Sequence, residues 1–264
     1  MSGGAAVAFE LGLGARAILS SGGRGTVVAV YRRAAYLRLP GGLFALTTTD
    51  VPSGPLHARG CAALDRLRRG DEAVVAGSVL RVGPISVDLD GARTWRGEVL
   101  TPAALRRGAT TALEVLAGAP PSALTDPVFE PRLAQAAAAL ERAELAGVVE
   151  ALAGVGPGLT PAGDDALAGI LVVARAAGGN AAEASLVSLA ARARTNDIAR
   201  AFLSWAARGQ SVAPVHAVLA AAAGLDVATA TVALGRLLQY GHSSGADLAL
   251  GLRLGVCVFV APVA

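Results

Sequence analysis

The residues best suited to chemistry lie in two similar stretches, GVGPGLTPAGDDALAGIL at 154–171 and GHSSGADLALGL at 241–252. Both contain the pattern G-x-D-x-x-x-G, with the equivalent pairs Gly163/Gly245, Asp165/Asp247 and Gly169/Gly251. On a helix, the aspartate and the glycine four residues later share a face, and glycine leaves room for a close approach. We therefore predict two helix starts that face one another around a common pocket.

The first stretch has the composition of a turn that leads into a helix. Gly156 and Gly158 permit backbone angles that other residues avoid. Thr160 followed by Pro161 is typical of a helix start, with a hydroxyl that caps free N–H groups and proline at the first helical position. In the second stretch, Ser244 begins the S-x-x-D pattern of a capping box. Both hydroxyl residues are therefore predicted to be helix caps.

The predicted site combines side chains from both helix starts. The candidate catalytic residues are Asp164, Asp165, His242 and Asp247. The candidate ligand-binding residues are Gly156, Gly158, Thr160, Gly163, Thr195, Asn196, Ser243, Ser244 and Gly245. Thr195 and Asn196 come from the segment 191–210. We interpret it as a third wall of the pocket, or else as a helix with polar residues on its solvated face or a helix break that Thr195 caps.

Two chemical mechanisms fit these residues. In the first, Asp164, Asp165 and Asp247 hold Mg²⁺, which neutralises a substrate phosphate. In the second, backbone N–H groups at the two helix N-termini bind an anion directly, although bare carboxylates would repel it. Mg²⁺ is the expected cofactor, and no organic cofactor is indicated. The simplest alternative is that the acids only offset the positive end of the helix dipole.

The composition excludes several classes of function. All 23 basic residues are arginines, which excludes a Schiff-base lysine and a Walker-type phosphate lysine. The net charge is only +3 and no basic run carries interleaved aromatic residues, so nucleic acid is not an expected partner. Charges or proline interrupt the apolar tracts before they reach the length of a membrane span. We expect a cytoplasmic protein that does not bind membranes.

The other two histidines and the two cysteines are not predicted to belong to the site. We expect His57 on a loop and His216 on the surface of a helix. Cys61 and Cys257 are far apart in sequence and are predicted to be reduced thiols in the core.

The pattern of secondary structure changes near residue 100. Residues 1–100 contain short β-prone segments separated by glycine-rich turns, with a short helix predicted over 61–70. Beyond Thr101, capped and alanine-rich helices are predicted at 102–117, 130–153, 163–177, 181–208, 212–223 and 226–240, then the helix of the second stretch and a C-terminal strand or extended tail over 255–264. This is an α+β class, with a β-rich domain at 1–100 and a mainly α-helical domain at 101–264.

Three stretches together resemble a known family. GVGPGLTPAGDDALAG is similar to the signature of the AllH-like family, the third subunit of oxamate carbamoyltransferase in allantoin-degrading bacteria. RTNDIARAFLSWAARG resembles the next helix of that family, and GHSSGADLALG resembles its C-terminal signature, so the resemblance covers about 150–255. The residues that match the family signatures are Gly158, Thr160, Pro161, Gly163, Asp164, Asp165, Ser244, Gly245 and Asp247. Asn196-Asp197 departs from the more hydroxyl-rich sequence of the family at that place.

The resemblance implies a place in allantoin catabolism and purine degradation, in a complex that interconverts carbamoyl phosphate plus oxamate with oxalurate plus phosphate. We therefore expect a transferase subunit that binds a small anionic or phosphorylated substrate at two helix N-termini. Its expected partners are the other subunits of the complex or further copies of itself. The chain lacks the S-T-R-T phosphate loop of ordinary carbamoyltransferases. The alternative is a non-catalytic assembly or regulatory subunit whose signatures are helix-packing and capping devices.

Overall fold

The chain has two compact units in this computed structural model, which describes residues 6–61 and 63–260. The units are Met1–Arg96 and Gly97–Ala264. Strands make up most of the first unit and helices most of the second, so the predicted α+β class is confirmed.

The first unit is built from ten short strands and one helix within the described residues. The strands are β1 (Ala6–Val7), β2 (Glu10–Gly12), β3 (Gly23–Val30), β4 (Ala34–Leu39), β5 (Gly42–Thr47), β6 (His57–Arg59), β7 (Glu72–Ala76), β8 (Val79–Val82), β9 (Ile85–Asp88) and β10 (Arg93–Trp95). Helix α1 (Leu13–Ser20) follows β2 directly.

The strands form one sheet in the order β1-β9-β8-β7-β3-β4-β5-β6-β2-β10. Three pairs are parallel, β1 with β9, β2 with β10 and β5 with β6, and the others are antiparallel. Only Ala8 and Phe9 separate β1 from β2, although the two strands lie at or near opposite ends of this order. Because three Cα–Cα steps span at most about 11 Å, the sheet must curl round as a half-barrel.

Apolar residues fill the interior of this sheet. Leu37 of β4 and Phe44 and Leu46 of β5 are fully buried, and β5 is buried at consecutive positions. In β8, buried and more exposed residues alternate, with Leu80 in the core, as expected of a strand with one covered face. A buried polar cluster lies beside this core, where Glu10 accepts hydrogen bonds from Ser53 at 2.6 Å and from Arg59 at 2.8 Å. The cluster holds the loop before β6 against β2.

The second unit is helical throughout its described part. Its helices are α2 (Pro102–Arg107), α3 (Ala109–Leu116), α4 (Glu130–Glu141), α5 (Leu145–Leu152), α6 (Ala162–Gly178), α7 (Glu183–Ala191), α8 (Asp197–Ala206), α9 (Ala213–Ala223), α10 (Val227–Leu238) and α11 (Ser244–Phe259). Three short 3₁₀ turns lie at Leu64–Arg66 in the first unit and at Ala123–Thr125 and Gly179–Ala182 in the second.

Helix α6 is the centre of the second unit, and every residue from Ala162 to Ala176 is buried. Its main partner is α11, which approaches so closely that the backbones touch. A Cβ added at Gly169 would lie 2.6 Å from the Leu248 carbonyl oxygen, and one at Gly251 would lie 1.9 Å from that of Ala166. Farther along, a Cβ at Gly255 would lie 2.8 Å from Val173 Cβ, so the two helices run parallel.

Several predicted helix boundaries are wrong for identifiable reasons. The helix expected over 130–153 is divided into α4 and α5 by Ala143, which has a positive φ of 54°. The helix expected over 181–208 is divided into α7 and α8, because Asn196 caps a new helix start. The helix expected over 61–70 is a single 3₁₀ turn.

The prediction of a C-terminal strand or extended tail over 255–264 is also wrong for the residues up to 260, which the structure describes. Helix α11 continues to Phe259, because Leu248, Leu252 and Val256 recur every fourth residue and are buried in the core. This packing outweighs the β-propensity of the valines in the segment. Residues 261–264 lie outside the described part.

Two histidines and one cysteine also differ from expectation. His57 lies in β6 and is buried, and burial lowers its pKa to about 4. His216 is buried in α9, where its Nδ1 atom lies 2.9 Å from the Glu98 carbonyl oxygen. Cys61 is buried as predicted, whereas Cys257 is exposed; both are free thiols.

One stretch, Ala162–Ala191, is long and apolar enough to span a membrane by length and composition alone. It comprises α6, the 3₁₀ turn Gly179–Ala182 and α7. The buried core helix of a globular protein passes the same test, so the stretch does not indicate a location in the cell.

The α6–α11 contact gives a matched pair of glycine substitutions. We expect Gly251→Ala to destabilise the fold by about 1–3 kcal/mol or more, because the new methyl group overlaps the Ala166 carbonyl. Gly235→Ala on α10 is the control, since a Cβ there meets no atom within 4 Å. That change should stabilise the helix by about 0.5–1 kcal/mol. Urea unfolding measures the free energy of unfolding of both variants relative to wild type. Equal changes in the two variants would contradict the close contact between α6 and α11.

Candidate functional site

The two glycine- and aspartate-containing stretches meet at the N-terminal ends of α6 and α11. We name residues 153–161, which precede α6, the first turn, and residues 239–243, which precede α11, the second turn. The Thr160 hydroxyl oxygen lies 3.3 Å from that of Ser244, the first residue of α11. The predicted meeting of the two helix starts is therefore found, and the parallel packing of α6 and α11 is its cause.

Neither hydroxyl serves as the predicted helix cap. The residue before α6 is Pro161 and the residue before α11 is Ser243, and neither makes a side-chain capping hydrogen bond. Thr160 lies one residue too early to cap, and Ser244 is already helical. Both hydroxyls turn toward each other and toward Asp165 instead.

Asp165 lies beneath this pair of hydroxyls and is 8% exposed. The hydroxyls of Ser244 and Thr160 lie close enough to its carboxyl group to lower its pKa. Its Oδ2 atom is buried and has no hydrogen-bond partner among the described residues. Burial raises the pKa of Asp165 well above its usual value; the two hydroxyls oppose that rise, and the charges of Asp247 and Asp164 add to it. The surroundings thus shift this side chain toward its neutral form, compared with an exposed aspartate.

Asp164 joins the first turn to the loop before α8. Its Oδ1 atom accepts a hydrogen bond from the Gly154 N–H at 3.1 Å, and its Oδ2 atom accepts one from the Thr195 hydroxyl at 2.5 Å. Burial raises the pKa of Asp164, while the hydrogen bonds from Thr195 and Gly154 and the charge of Arg200 oppose the rise. Both carboxylate oxygens thus hold local backbone geometry.

Asn196 supplies a second connection between the same two segments. Its side-chain oxygen accepts a hydrogen bond from the Ala199 N–H at 2.9 Å and so caps α8. Its amide nitrogen donates to the Leu159 carbonyl in the first turn, also at 2.9 Å. The predicted third wall therefore lies against the first turn, and Asn196 is at once a helix cap and part of that wall.

Asp247 is the most deeply buried of the three aspartates, with no exposed surface. Its Oδ1 atom accepts hydrogen bonds from the Ser122 hydroxyl at 2.5 Å and from the Ala123 N–H at 3.0 Å. Its Oδ2 atom is buried without a partner among the described residues. Sequence reasoning missed Ser122, because 125 positions separate it from Asp247 and no local pattern joins them.

The glycines of the site have two different roles. Gly163 and Gly245 are needed for space, since a Cβ at either would lie 2.0 or 2.1 Å from the carbonyl oxygen of Leu152 or Leu237 in the preceding helix. Gly156 and Gly158 are needed for backbone conformation, with φ of 105° and 101°. A Cβ at Gly158 meets no atom within 4 Å, so this part of the first turn is open.

His242 and Ser243 lie in the second turn, where His242 is exposed and Ser243 is half-buried. Among the hydrogen bonds and ion pairs of the described residues, none involves the His242 side chain. His242 thus lies on the exposed part of the second turn, whereas the three aspartates are buried.

The arrangement of donor side chains bears on the expected Mg²⁺. Within residues 6–61 and 63–260, no group of three or more His, Cys, Asp and Glu side chains is arranged to hold an ion. Asp164, Asp165 and Asp247 therefore do not form such a group as they stand. The expectation of Mg²⁺ remains a prediction.

Comparison with known proteins agrees with the resemblance seen in the sequence. Residues 152–256 match the family model described as oxamate carbamoyltransferase subunit AllH. This part of the chain is AllH-like. The match begins at the end of α5 and ends in α11, so the AllH-like segment contains both turns and all three aspartates. No solved structure matches the chain.

The charge state of Asp165 predicts a pH-dependent effect of Asp165→Asn. Because its folded pKa is raised, the carboxyl stabilises the fold at low pH, and that stability is lost as pH rises toward the folded pKa. The side-chain amide of the Asp165→Asn variant does not ionise, so the variant does not lose this stability as pH rises. We expect the stability of the variant relative to wild type to increase as pH rises above about 4, where the unfolded carboxyl ionises.

Asp226→Asn is the control for this experiment. Hydrogen bonds from Thr229 lower the pKa of Asp226, which is an exposed helix cap, so its contribution has the opposite sign. Urea unfolding over the same pH range measures both. A relative stability of Asp165→Asn that stays flat or falls with pH would contradict the neutral carboxyl.

Ser122→Ala tests the connection between Asp247 and the loop at Ala123–Thr125. Removing one of the two donors to a buried carboxylate oxygen should destabilise the fold by about 1–3 kcal/mol. Ser185→Ala removes an exposed hydroxyl that bonds only a neighbouring carbonyl, and it should change stability by less than about 0.5 kcal/mol. Thermal and chemical unfolding compare the two, and equal stabilities would show that Ser122 does not hold Asp247.

Proposed function

We propose that this chain is a subunit of an oxamate carbamoyltransferase-like complex, and that the first and second turns bind a small anionic or phosphorylated ligand. The observation that carries the proposal is the family match over 152–256, which includes both turns. The reaction that follows from it interconverts carbamoyl phosphate plus oxamate with oxalurate plus phosphate.

The geometry supports an anion at the two turns. Helices α6 and α11 are 17 and 16 residues long, run parallel and begin side by side. The positive ends of their dipoles therefore reinforce one another. Neither helix start is capped by a side chain. The Gly163 and Gly245 N–H groups donate instead to the carbonyls of Val155 and Tyr240, and the first N–H groups, those of Ala162 and Ser244, have no backbone partner among the described residues. Such a pair of ends is suited to phosphate or carboxylate.

The buried acids do not prevent this binding. Asp164 accepts hydrogen bonds at both oxygens, and Asp247 accepts two at one oxygen. Burial raises the pKa of Asp165, the acid next to the Thr160 and Ser244 hydroxyls, so it repels an anion less than an exposed aspartate would. Whether Mg²⁺ is required for binding is therefore a variable of the experiment.

A second candidate is a non-catalytic assembly subunit, and one observation favours it. The four motif glycines Gly163, Gly169, Gly245 and Gly251 all lie against backbone atoms of a neighbouring helix. Their presence is explained by packing alone. In that case the AllH-like segment would preserve a shape that other subunits recognise.

Reconstitution of the complex separates the two candidates. We would assay phosphate-dependent cleavage of oxalurate in complexes assembled with wild-type chain, with Ser244→Ala or without the chain, each with and without Mg²⁺. The proposal predicts that complexes without the chain are inactive and that the Ser244→Ala complex assembles but loses at least about tenfold in kcat/KM, a difference of about 1.4 kcal/mol. Titration calorimetry of the isolated chain with carbamoyl phosphate, oxamate and oxalurate measures ligand binding directly.

Thr231→Val, on the exposed face of α10, is the matched loss of a hydroxyl and should leave activity unchanged. Full activity in assembled Ser244→Ala complexes, with no ligand bound by the isolated chain, would favour the assembly role. Full activity without this chain would refute both candidates.

A further inference from the structure

We propose that helix α10 pairs with the same helix of a second copy of this chain, in antiparallel orientation, about a two-fold axis that passes near Val232. This inference goes beyond the proposed function and does not depend on it. It starts from apolar side chains that the chain leaves exposed on one face of α10 and in the turn before it.

Exposed apolar side chains are concentrated in this part of the chain. Six large apolar residues of the described part are exposed, and three of them lie within eight positions, Leu225, Val227 and Val232, which are 58%, 40% and 57% exposed. The surface around them carries little charge, since Asp226 is the only Asp, Glu, Lys or Arg between positions 209 and 235. A contiguous apolar surface of this kind is typical of a site where another protein binds.

The backbone at Leu225 is an independent observation. Leu225 has a φ of 60°, a left-handed conformation that glycine or asparagine adopts at lower cost after a helix. Its side chain is more than half exposed, so packing within the chain does not explain a leucine at this strained position. A second surface that covers the side chain does explain it.

The spacing of the exposed residues fits a helix as the partner. Uncharged exposed residues recur at intervals of three and four from the turn before α10 to the residue after it: Leu225, Ala228, Val232, Gly235 and Gln239. This is the spacing of the a and d positions where two helices pack together, and we name these five residues the seam. A Cβ at Gly235 would meet no atom of the chain within 4 Å, so the backbone of a partner helix has room to approach there.

Charges at the two ends of the seam determine the orientation and the partner. Asp226 precedes α10 and Arg236 lies in its last turn, about 15 Å away along the helix. Within the described residues, neither forms an ion pair. Parallel copies would place like charges together, whereas antiparallel copies place each Asp226 beside the partner's Arg236.

One two-fold axis serves both the apolar seam and the charges. Val232 is the midpoint of the seam, and the midpoint between Asp226 and Arg236 lies one residue away from it. Such a surface is complementary to itself, as a two-fold symmetric interface requires, and so it fits a second copy of this chain. One helix face per copy is a small interface, and we expect a weak dimer that dissociates at about 1–100 µM protein.

Sedimentation velocity of the full chain, at protein concentrations below and above this range, measures the association. We expect a concentration-dependent shift from monomer to dimer. Val232→Arg brings two like charges together at the axis and should weaken the dimer at least about tenfold. Val128→Arg, which replaces a valine that is 75% exposed and lies outside α10, is the matched control and should leave the dimer unchanged. Arg236→Glu should weaken it more at low salt than at high salt.

Disulfide cross-linking tests the orientation, in a Cys257→Ser background that removes the native exposed thiol. Val232→Cys lies at the axis and should cross-link with its own copy. Ala228→Cys should not, because antiparallel copies hold the two positions about 12 Å apart along the helices, too far for a disulfide. A mixture of Ala228→Cys and Gly235→Cys should cross-link between the two variants. All three seam positions are exposed, so these variants should fold as the wild type does.

Three results would overturn the proposal. The first is a wild-type chain that stays monomeric at every concentration, or a dimer that Val232→Arg and Val128→Arg weaken equally. The second is self-cross-linking of Ala228→Cys, which would show a parallel pair. The third is a monomeric chain whose assembly with other subunits is lost in Val232→Arg, which would show that a different protein covers α10. Carbamoyl transfer by the complex is not part of this test, so the proposed function and the dimer can fail separately.

Discussion

The close backbone contact between α6 and α11 is the constraint on which the helical unit depends. Gly169 and Gly251 occupy equivalent places in the two stretches, and each lies against backbone atoms of the other helix. The repeat in the sequence is therefore also the contact in the fold. Because the helices run parallel, this contact fixes their N-termini at the same end, where the Thr160 and Ser244 hydroxyls become neighbours. Separating the helices by the width of one methyl group would move these hydroxyls apart.

Three aspartates lie near one another, yet their surroundings give them different roles. Asp164 and Asp247 accept hydrogen bonds from backbone N–H groups and hydroxyls, and so hold the first turn and the Ser122 loop in place. Asp165 is buried, its Oδ2 atom has no partner among the described residues, and burial and the charges of Asp247 and Asp164 raise its pKa. Burial raises the pKa of Asp164 as well, but its hydrogen bonds and the charge of Arg200 oppose that rise. One residue type thus provides both structural anchors and a buried acid shifted toward its neutral form.

The same glycines that pack the helices also build the candidate site. Gly163 and Gly245 let each helix start lie against the end of the helix before it, and Gly156 and Gly158 allow the first turn to reverse direction. The presence of these glycines therefore does not distinguish a packing role from a ligand-binding role. The two roles differ in whether the hydroxyl and carboxyl groups take part in chemistry, and the glycines only position those groups.

The sequence by itself determined the α+β class, the two helix starts and their equivalence, because these follow from periodicity and from turn residues close together in the chain. Thr160 and Ser244 were identified as site residues, but as caps, since local patterns describe only local partners. Only the tertiary structure decided that they contact each other and that Ser122 holds Asp247, contacts that join residues 84 and 125 positions apart. The raised pKa of Asp165 likewise depends on burial, which the spacing of residues in the sequence does not show. The end of α11 was misjudged for the same reason, because packing against α6 outweighed the local preference of its valines.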